Sequence, residues 1–146
     1  MQCFLRSAGN SDRQSLAELL TSLDLPVEDL PDDVTTFTLA FDGDKLAGSA
    51  GMEILGAFGL LRSVAVHPNF RNLGLGQKLY AAAMDQAKKA GVREVWLITN
   101  TADRYFENLG FVPQERSSAP PEIAGTAQFE GLCPSTAVVM KKSTAD

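Results

Sequence analysis

The spacing of apolar residues divides the chain into helix-like and strand-like segments. Leu16, Leu19, Leu20 and Leu23 fall at i, i+3, i+4 and i+7, one apolar stripe along a helix. Just ahead of them, Ser11 and Gln14 have the S-x-x-Q spacing of a capping box, which satisfies free backbone donors of a first turn. Pro26 ends this helix, because the residue before a proline avoids helical geometry. The acidic stretch Glu28-Asp29-Leu30-Pro31-Asp32-Asp33 predicts a loop or short turn. From Thr35 the period becomes that of strands. Thr36-Phe37-Thr38-Leu39-Ala40-Phe41 meets the turn formers Asp42-Gly43-Asp44, and the chain returns through Leu46 to Leu55. After Gly56 a third strand runs over about residues 58–67, which predicts an antiparallel meander ended by Pro68.

A glycine-bearing loop then leads into a long helix. Leu75, Leu79, Ala82, Ala83, Ala87 and Ala90 give it a small-residue face, and Gly91 caps it. Val95-Trp96-Leu97-Ile98 is a continuous apolar run, as in a strand buried on both faces. Residues 102–109 predict a short helix stopped by Gly110; Phe111 starts another strand, and Ala137-Val138-Val139-Met140 supplies the last. Between these two lies a Pro-Pro-led helical excursion over residues 120–132. The order α-β-β-β-α-β-α-β-β predicts one mixed α/β domain over residues 1–146, with no repeat and no long linker.

Composition narrows the function. The chain has 146 residues, 45% of them hydrophobic, with 13 Lys+Arg against 18 Asp+Glu for a net charge of −5. That balance excludes disorder as the dominant state. No apolar run reaches the roughly 18 residues of a membrane span, and the start lacks the pattern of a signal peptide. An acidic pI near 4.8 disfavours nucleic acid as a partner. It also makes an anionic ligand unwelcome unless a local device overrides the field. The two cysteines, Cys3 and Cys133, form no CxxC pair, so a reducing, cytoplasmic setting is expected. With His67 as the only histidine, a Cys/His zinc cluster is nearly excluded and no metal is expected.

Such a local device is present in Val64-Ala65-Val66-His67-Pro68-Asn69-Phe70-Arg71-Asn72-Leu73-Gly74-Leu75-Gly76. A strand delivers the chain to a turn that opens a helix near Leu75, where free backbone N–H groups attract a phosphate. Gly74 and Gly76 clear side chains from the approach, Arg71 adds a positive fork, and Asn72 tolerates positive φ. An ordinary β-to-α connection reads equally well on local chemistry alone. There is no G-K-[ST] for a P-loop, and Leu79 occupies the third place of G-x-G-x-x-G.

Arg71-x-x-Gly74-x-Gly76 after Val64-Ala65-Val66-x-Pro68 resembles the coenzyme-A motif of the GNAT superfamily of N-acetyltransferases. Ala102-Asp103-Arg104-Tyr105-Phe106-Glu107-Asn108-Leu109-Gly110-Phe111 is similar to that superfamily's A-x-x-F-Y-x-x-x-G-F block. Leu60-Leu61-Arg62-Ser63 and the segment from Phe129 to Val138 resemble a narrower subgroup found with arsenic-resistance functions. The resemblance implies a GNAT-like acyl-CoA N-acyltransferase fold, α/β of the mixed α+β kind, with a central, mostly antiparallel sheet flanked by helices. It implies acetyl-CoA as co-substrate and a small-molecule amine as acceptor, attacked directly in a ternary complex. Backbone groups of Val64, Ala65 and Val66 would line the pantetheine, and the Val66 N–H would act as oxyanion donor. Asn72, Leu73, Gly74, Leu75, Gly76 and Gln77 would hold the pyrophosphate, and Asn100, Thr101 or Asn108 would touch the coenzyme. Superfamily members are often homodimers, and nothing in the sequence decides the oligomeric state.

The reaction needs a base for the amine and an acid for the departing thiolate. The superfamily often places a tyrosine in the second aromatic position; here Phe106 stands there and Tyr105 lies one residue earlier, about 100° around the helix. Tyr105 therefore reads either as a displaced acid or as a packing residue, with Cys133, Ser63 or water as alternatives. Glu53 is the leading base. Leu46, Gly48, Ala50, Met52 and Ile54 share one strand face, so Glu53 lies on the other with Ser49 and Gly51, whose small size leaves room for a ligand. Arg62 interrupts the apolar row of Phe58, Leu60, Val64 and Val66. It is either a structural ion pair, with Glu53 or another acid, or a clamp on an anionic acceptor. His67 reads as solvated, Cys3 as packing, Cys133 as packing or substrate contact, and Phe129 and Leu132 as pocket walls or core. Two other functions remain open: an acyl-CoA sensor that has lost the acid, and a protein-tail acetyltransferase.

Overall fold

A computed structural model describes the chain except residues 1, 2, 26, 72, 101, 133–136 and 146, and the side chains of residues 131 and 132. The strands and helices follow the predicted order, with one strand added at the front. They are β1 (Phe4–Ser7), α1 (Arg13–Ser22), β2 (Phe37–Asp42), β3 (Lys45–Leu55), β4 (Phe58–Val66), α2 (Leu75–Lys89), β5 (Glu94–Thr99), α3 (Asp103–Asn108), β6 (Val112–Gln114), α4 (Pro121–Ala124) and β7 (Val138–Ser143). The strands hydrogen-bond in the order β1-β2-β3-β4-β5-β7-β6, a mostly antiparallel sheet in a mixed α/β fold. The parallel pair is β4 with β5, in register from Phe58↔Glu94 to Leu60↔Trp96, and α2 is the crossover between them.

The chain forms two compact units. Met1–Glu53 with Leu61–Gln86 make the first, and Ile54–Leu60 with Ala87–Asp146 make the second. The first is built on the stripe of α1: Leu16, Leu19 and Leu20 are buried with Val34, Phe37, Leu39 and Ala65. The second packs Trp96 and Ile98 of β5 with Leu60, Ile123, Phe129 and Val139. Trp96 satisfies its buried indole by donating from Nε1 to Glu94 Oε1 at 2.7 Å. Phe129 is thus a core residue.

Three local expectations change. The expected Ser11–Gln14 cap is made one turn earlier, by a 3-10 turn over Asn10–Asp12 in which Asp12 accepts the Gly9 N–H at 2.8 Å. The space beside Gly51 is not open. Gly51 stands opposite Phe37, whose ring would lie 2.6 Å from a Cβ there. In β4 the alternation of faces breaks at Ser63, a non-glycine residue with φ of 54°. Leu60 belongs to the second unit's core, while Ala65, and not its neighbours Val64 or Val66, belongs to the first's.

Candidate active site

The phosphate-cradle residues lie in the first unit. β4 ends at Val66, and His67 Nδ1 then accepts the Asn69 N–H at 3.1 Å to start a 3-10 turn over Pro68–Phe70. Its ring packs edge-on against buried Phe70, so His67 shapes the turn rather than standing free in solvent. Arg71 is exposed and donates from Nε to Val66 O at 3.3 Å, which seats the guanidinium at the end of the strand. Asn72 lies outside the described residues. Gly74 adopts φ of 74°, and nothing lies within 4 Å of where a Cβ would project. Only glycine takes that conformation without strain, and here it leaves the approach to the helix clear.

The helix α2 begins at Leu75. Its first in-line bond runs from the Lys78 N–H to Gly74 O at 3.3 Å, so the N–H groups of Leu75, Gly76 and Gln77 have no intrahelical partner. No acidic side chain sits in that first turn. The helix is held close to β3 at Gly48, where a Cβ would meet Ala65 O and Leu79 Cδ1, both at 2.8 Å. Buried Leu75 anchors the start while Leu73 and Gln77 face solvent. Open space, donors without intrahelical partners and a basic side chain at one end fit a phosphate-bearing ligand.

The second feature, also in the first unit, is a buried charge cluster. Arg62, 3% exposed, donates four hydrogen bonds. Nη2 reaches Asp29 Oδ1 at 2.6 Å; Nη1 reaches Glu53 Oε2 and Asp29 O, both at 2.9 Å; and Nε reaches Ser63 Oγ at 3.2 Å. Of the two readings of Arg62, the ion pair is the one present, and it has two acids. The side chains of Arg62 and Asp29 are shut off from solvent at 1% and 0%, whereas Glu53 keeps 17% of its side-chain surface exposed. Ser49, also fully buried, donates its hydroxyl to Ser63 O at 2.7 Å and pins the strand at its irregular residue.

Sequence reasoning missed Asp29. The signal was the need of a buried guanidinium for a partner, but the acidic stretch offers Glu28, Asp29, Asp32 and Asp33, and no periodicity chooses among them.

Asn100 and Tyr105 belong to the second unit. Asn100 is exposed at the end of β5. On α3, Phe106 is buried at 7% while Tyr105 is 41% exposed, with their rings edge-to-face at 5.2 Å. The one-residue offset thus turns Tyr105 outward, as its position around the helix requires. Thr101 and Cys133 lie outside the described residues. Among the described residues no group of three or more His, Cys, Asp or Glu could hold a metal ion, and no helix is long and apolar enough to cross a membrane.

Known proteins share both the sequence pattern and the architecture. An amino-acid acetyltransferase of Aeromonas salmonicida is 29% identical over 97 residues, which cover 65% of this chain and 22% of that protein. Another from Serratia proteamaculans is 33% identical over 44% of this chain and 14% of its own length. The chain thus spans less than a quarter of the length of these curated relatives. Among solved structures, an acetyltransferase of the GNAT family from Staphylococcus aureus superposes with a TM-score of 0.80 at 19% identity, covering 98% of this chain and 99% of that one. N-acetylglutamate synthase from Neisseria gonorrhoeae, solved with coenzyme A and L-arginine, gives 0.80 at 18% identity over 97% of this chain and 33% of that one. Residues 6–111 match the Acetyltransferase (GNAT) family. With more than half of its length in that match, the chain belongs to the acetyltransferase (GNAT) family.

Proposed function

We propose that this chain moves an acetyl group from acetyl-CoA to a primary amine of a small molecule, by direct attack within a ternary complex. The observation that carries the reading is the head of α2, where Gly74 at φ of 74° leaves open space before the N–H groups of Leu75, Gly76 and Gln77, which have no intrahelical partner. These groups and Arg71 bind the pyrophosphate, and backbone groups of Val64, Ala65 and Val66 align the pantetheine. When bound, acetyl-CoA supplies an activated acetyl thioester. The Val66 N–H donates to the thioester oxygen, where negative charge develops.

Glu53 receives a proton from the incoming amine. Its carboxylate keeps solvent contact while Arg62 fixes one of its oxygens. In balance, the nitrogen–carbon bond forms as the carbon–sulfur bond breaks. The electron pair leaves on sulfur, which takes a proton from water, and Glu53 returns the amine's proton to solvent through its exposed edge, so that no charge is left over. The curated relatives' description as amino-acid acetyltransferases supports a small amine as acceptor.

A second reading, an acyl-CoA sensor without turnover, draws on buried Phe106 in the place where the family often has its acid. Release of free coenzyme A from acetyl-CoA with a panel of primary amines, amino acids among them, separates the two. Turnover supports the transferase; tight acetyl-CoA binding with no release for any amine supports the sensor.

A further inference from the structure

Asp29 is costly where it stands. Its side chain has no solvent contact, Oδ1 is paired with Arg62, and Oδ2 is buried with no hydrogen-bond partner among the described residues. An unsatisfied buried acceptor carries its full desolvation penalty, and a buried ion pair is weak support for a fold compared with apolar packing. Stability alone gives no reason for a carboxylate at this position.

Its contacts give another reason. Asp29 holds Arg62 at two points, through Oδ1 and through its own carbonyl oxygen. The same guanidinium then holds Glu53 Oε2 and Ser63 Oγ. Glu53 is the base of the proposed reaction. Ser63 is the left-handed residue of β4, just before Val64, Ala65 and Val66. A long side chain such as arginine has many rotamers, and ordering it costs entropy that its anchors must offset. With both ends of the guanidinium engaged, the Glu53 carboxylate and the strand carrying the Val66 N–H are set in one fixed relation.

We infer that Asp29 is a positioning residue that acts through Arg62 on Glu53 and Ser63. This rests on the proposed reading of Glu53 as the base, and it assigns Asp29 no contact with substrate. Asp29→Asn keeps the shape but removes the charge that anchors Arg62. Misplacing a reacting group by about 1 Å costs on the order of 100-fold in rate.

The test is a cycle of Asp29→Asn and Glu53→Gln in the full chain, with kcat and KM measured well below each variant's Tm. The expected result for Asp29→Asn alone is a kcat loss of about 10- to 100-fold, with KM for acetyl-CoA within about threefold of the wild type. In the Glu53→Gln background the same change costs less than about threefold, because the group it positions is gone. Asp29→Glu should recover part of the loss. If Asp29→Asn does not fold, Arg62→Lys gives the same readout, since one ammonium cannot bridge Asp29, Glu53 and Ser63 together. An unchanged kcat, or equal losses in both backgrounds, overturns the inference and leaves Glu53 as the base. A Glu53→Gln enzyme as active as wild type removes Glu53 as the base, and this inference with it.

Discussion

Gly51 of β3 and Phe37 of β2 stand directly across from each other, and the phenyl ring fills the volume that any side chain on Gly51 would need. The ring atoms Cε2, Cζ and Cδ2 lie 2.6, 2.7 and 2.9 Å from a Cβ at that position. Phe37 is itself fully buried, so it has little freedom to retreat. Gly51→Ala is expected to cost about 1–3 kcal/mol through overpacking, with part of the loss recovered by Phe37→Leu. Denaturant unfolding of the single and double variants checks this. A Gly51→Ala protein as stable as the wild type would show that the pair can slide apart.

The Asp29–Arg62 pair makes a prediction about stability that is separate from its role in turnover. Arg62→Met strands a buried carboxylate and should lower stability by about 3–5 kcal/mol. Adding Asp29→Asn should give back part of that loss, because the stranded charge disappears. Full additivity of the two changes would contradict a direct pairing.

At the head of α2, Gly74→Val places a β-branched residue in the left-handed region, at about 1–2 kcal/mol for the backbone. The open space around Gly74 lets the variant fold. Acetyl-CoA affinity should fall by about tenfold or more, read by titration calorimetry beside a melting curve. Unchanged affinity in a folded variant would remove this loop as the pyrophosphate seat.

Tyr105→Phe should leave kcat within about threefold of the wild type, since the ring lies on the surface of α3 and its neighbour Phe106 faces inward. A fall of about 100-fold or more would reinstate Tyr105 as the acid. Glu53→Gln, measured alongside, is expected to lose about 100-fold or more.

Acid should loosen the amino-terminal segment. The Arg6 guanidinium, at 2.7 and 3.0 Å, and the Gly9 N–H hold the Asp12 carboxyl at about 2, below its ordinary 3.8. A carboxylate with a lowered folded-state value stabilises above its unfolded value and loses that contribution as pH falls from about 4 toward about 2. Tm measured across that window should drop more for the wild type than for Asp12→Asn. The difference should shrink at high salt, because Arg6 is exposed. Parallel Tm profiles would show that the pair contributes nothing.

Much of this was legible in the residues. The i, i+3, i+4, i+7 leucines of α1 are a direct consequence of burying one face, and β2 was legible from its strand-forming residues although both of its faces are buried. Gly74 before α2 and Gly76 in its first turn were legible because few residue types serve where a chain turns into a helix that must stay accessible. Asp29 was not, since its importance depends on a contact across 33 residues of chain, and sequence spacing says nothing about which loop acid reaches Arg62. Gly51 was misread as ligand space for the same reason: Phe37 fills the gap from a neighbouring strand. The β4 alternation failed at a single residue, because a positive φ at serine leaves no mark in the hydrophobic pattern.

That serine makes β4 behave like a reading frame with one deliberate shift. Upstream of Ser63, Leu60 lies in the second unit's core; downstream, Ala65 and neither valine beside it lies in the first's. Losing or gaining a single residue on either side would exchange inward and outward positions for half the strand, whereas paired changes would preserve them. Chains descended from a common ancestor with this one should therefore vary in the identity of residues in β4 far more freely than in their number.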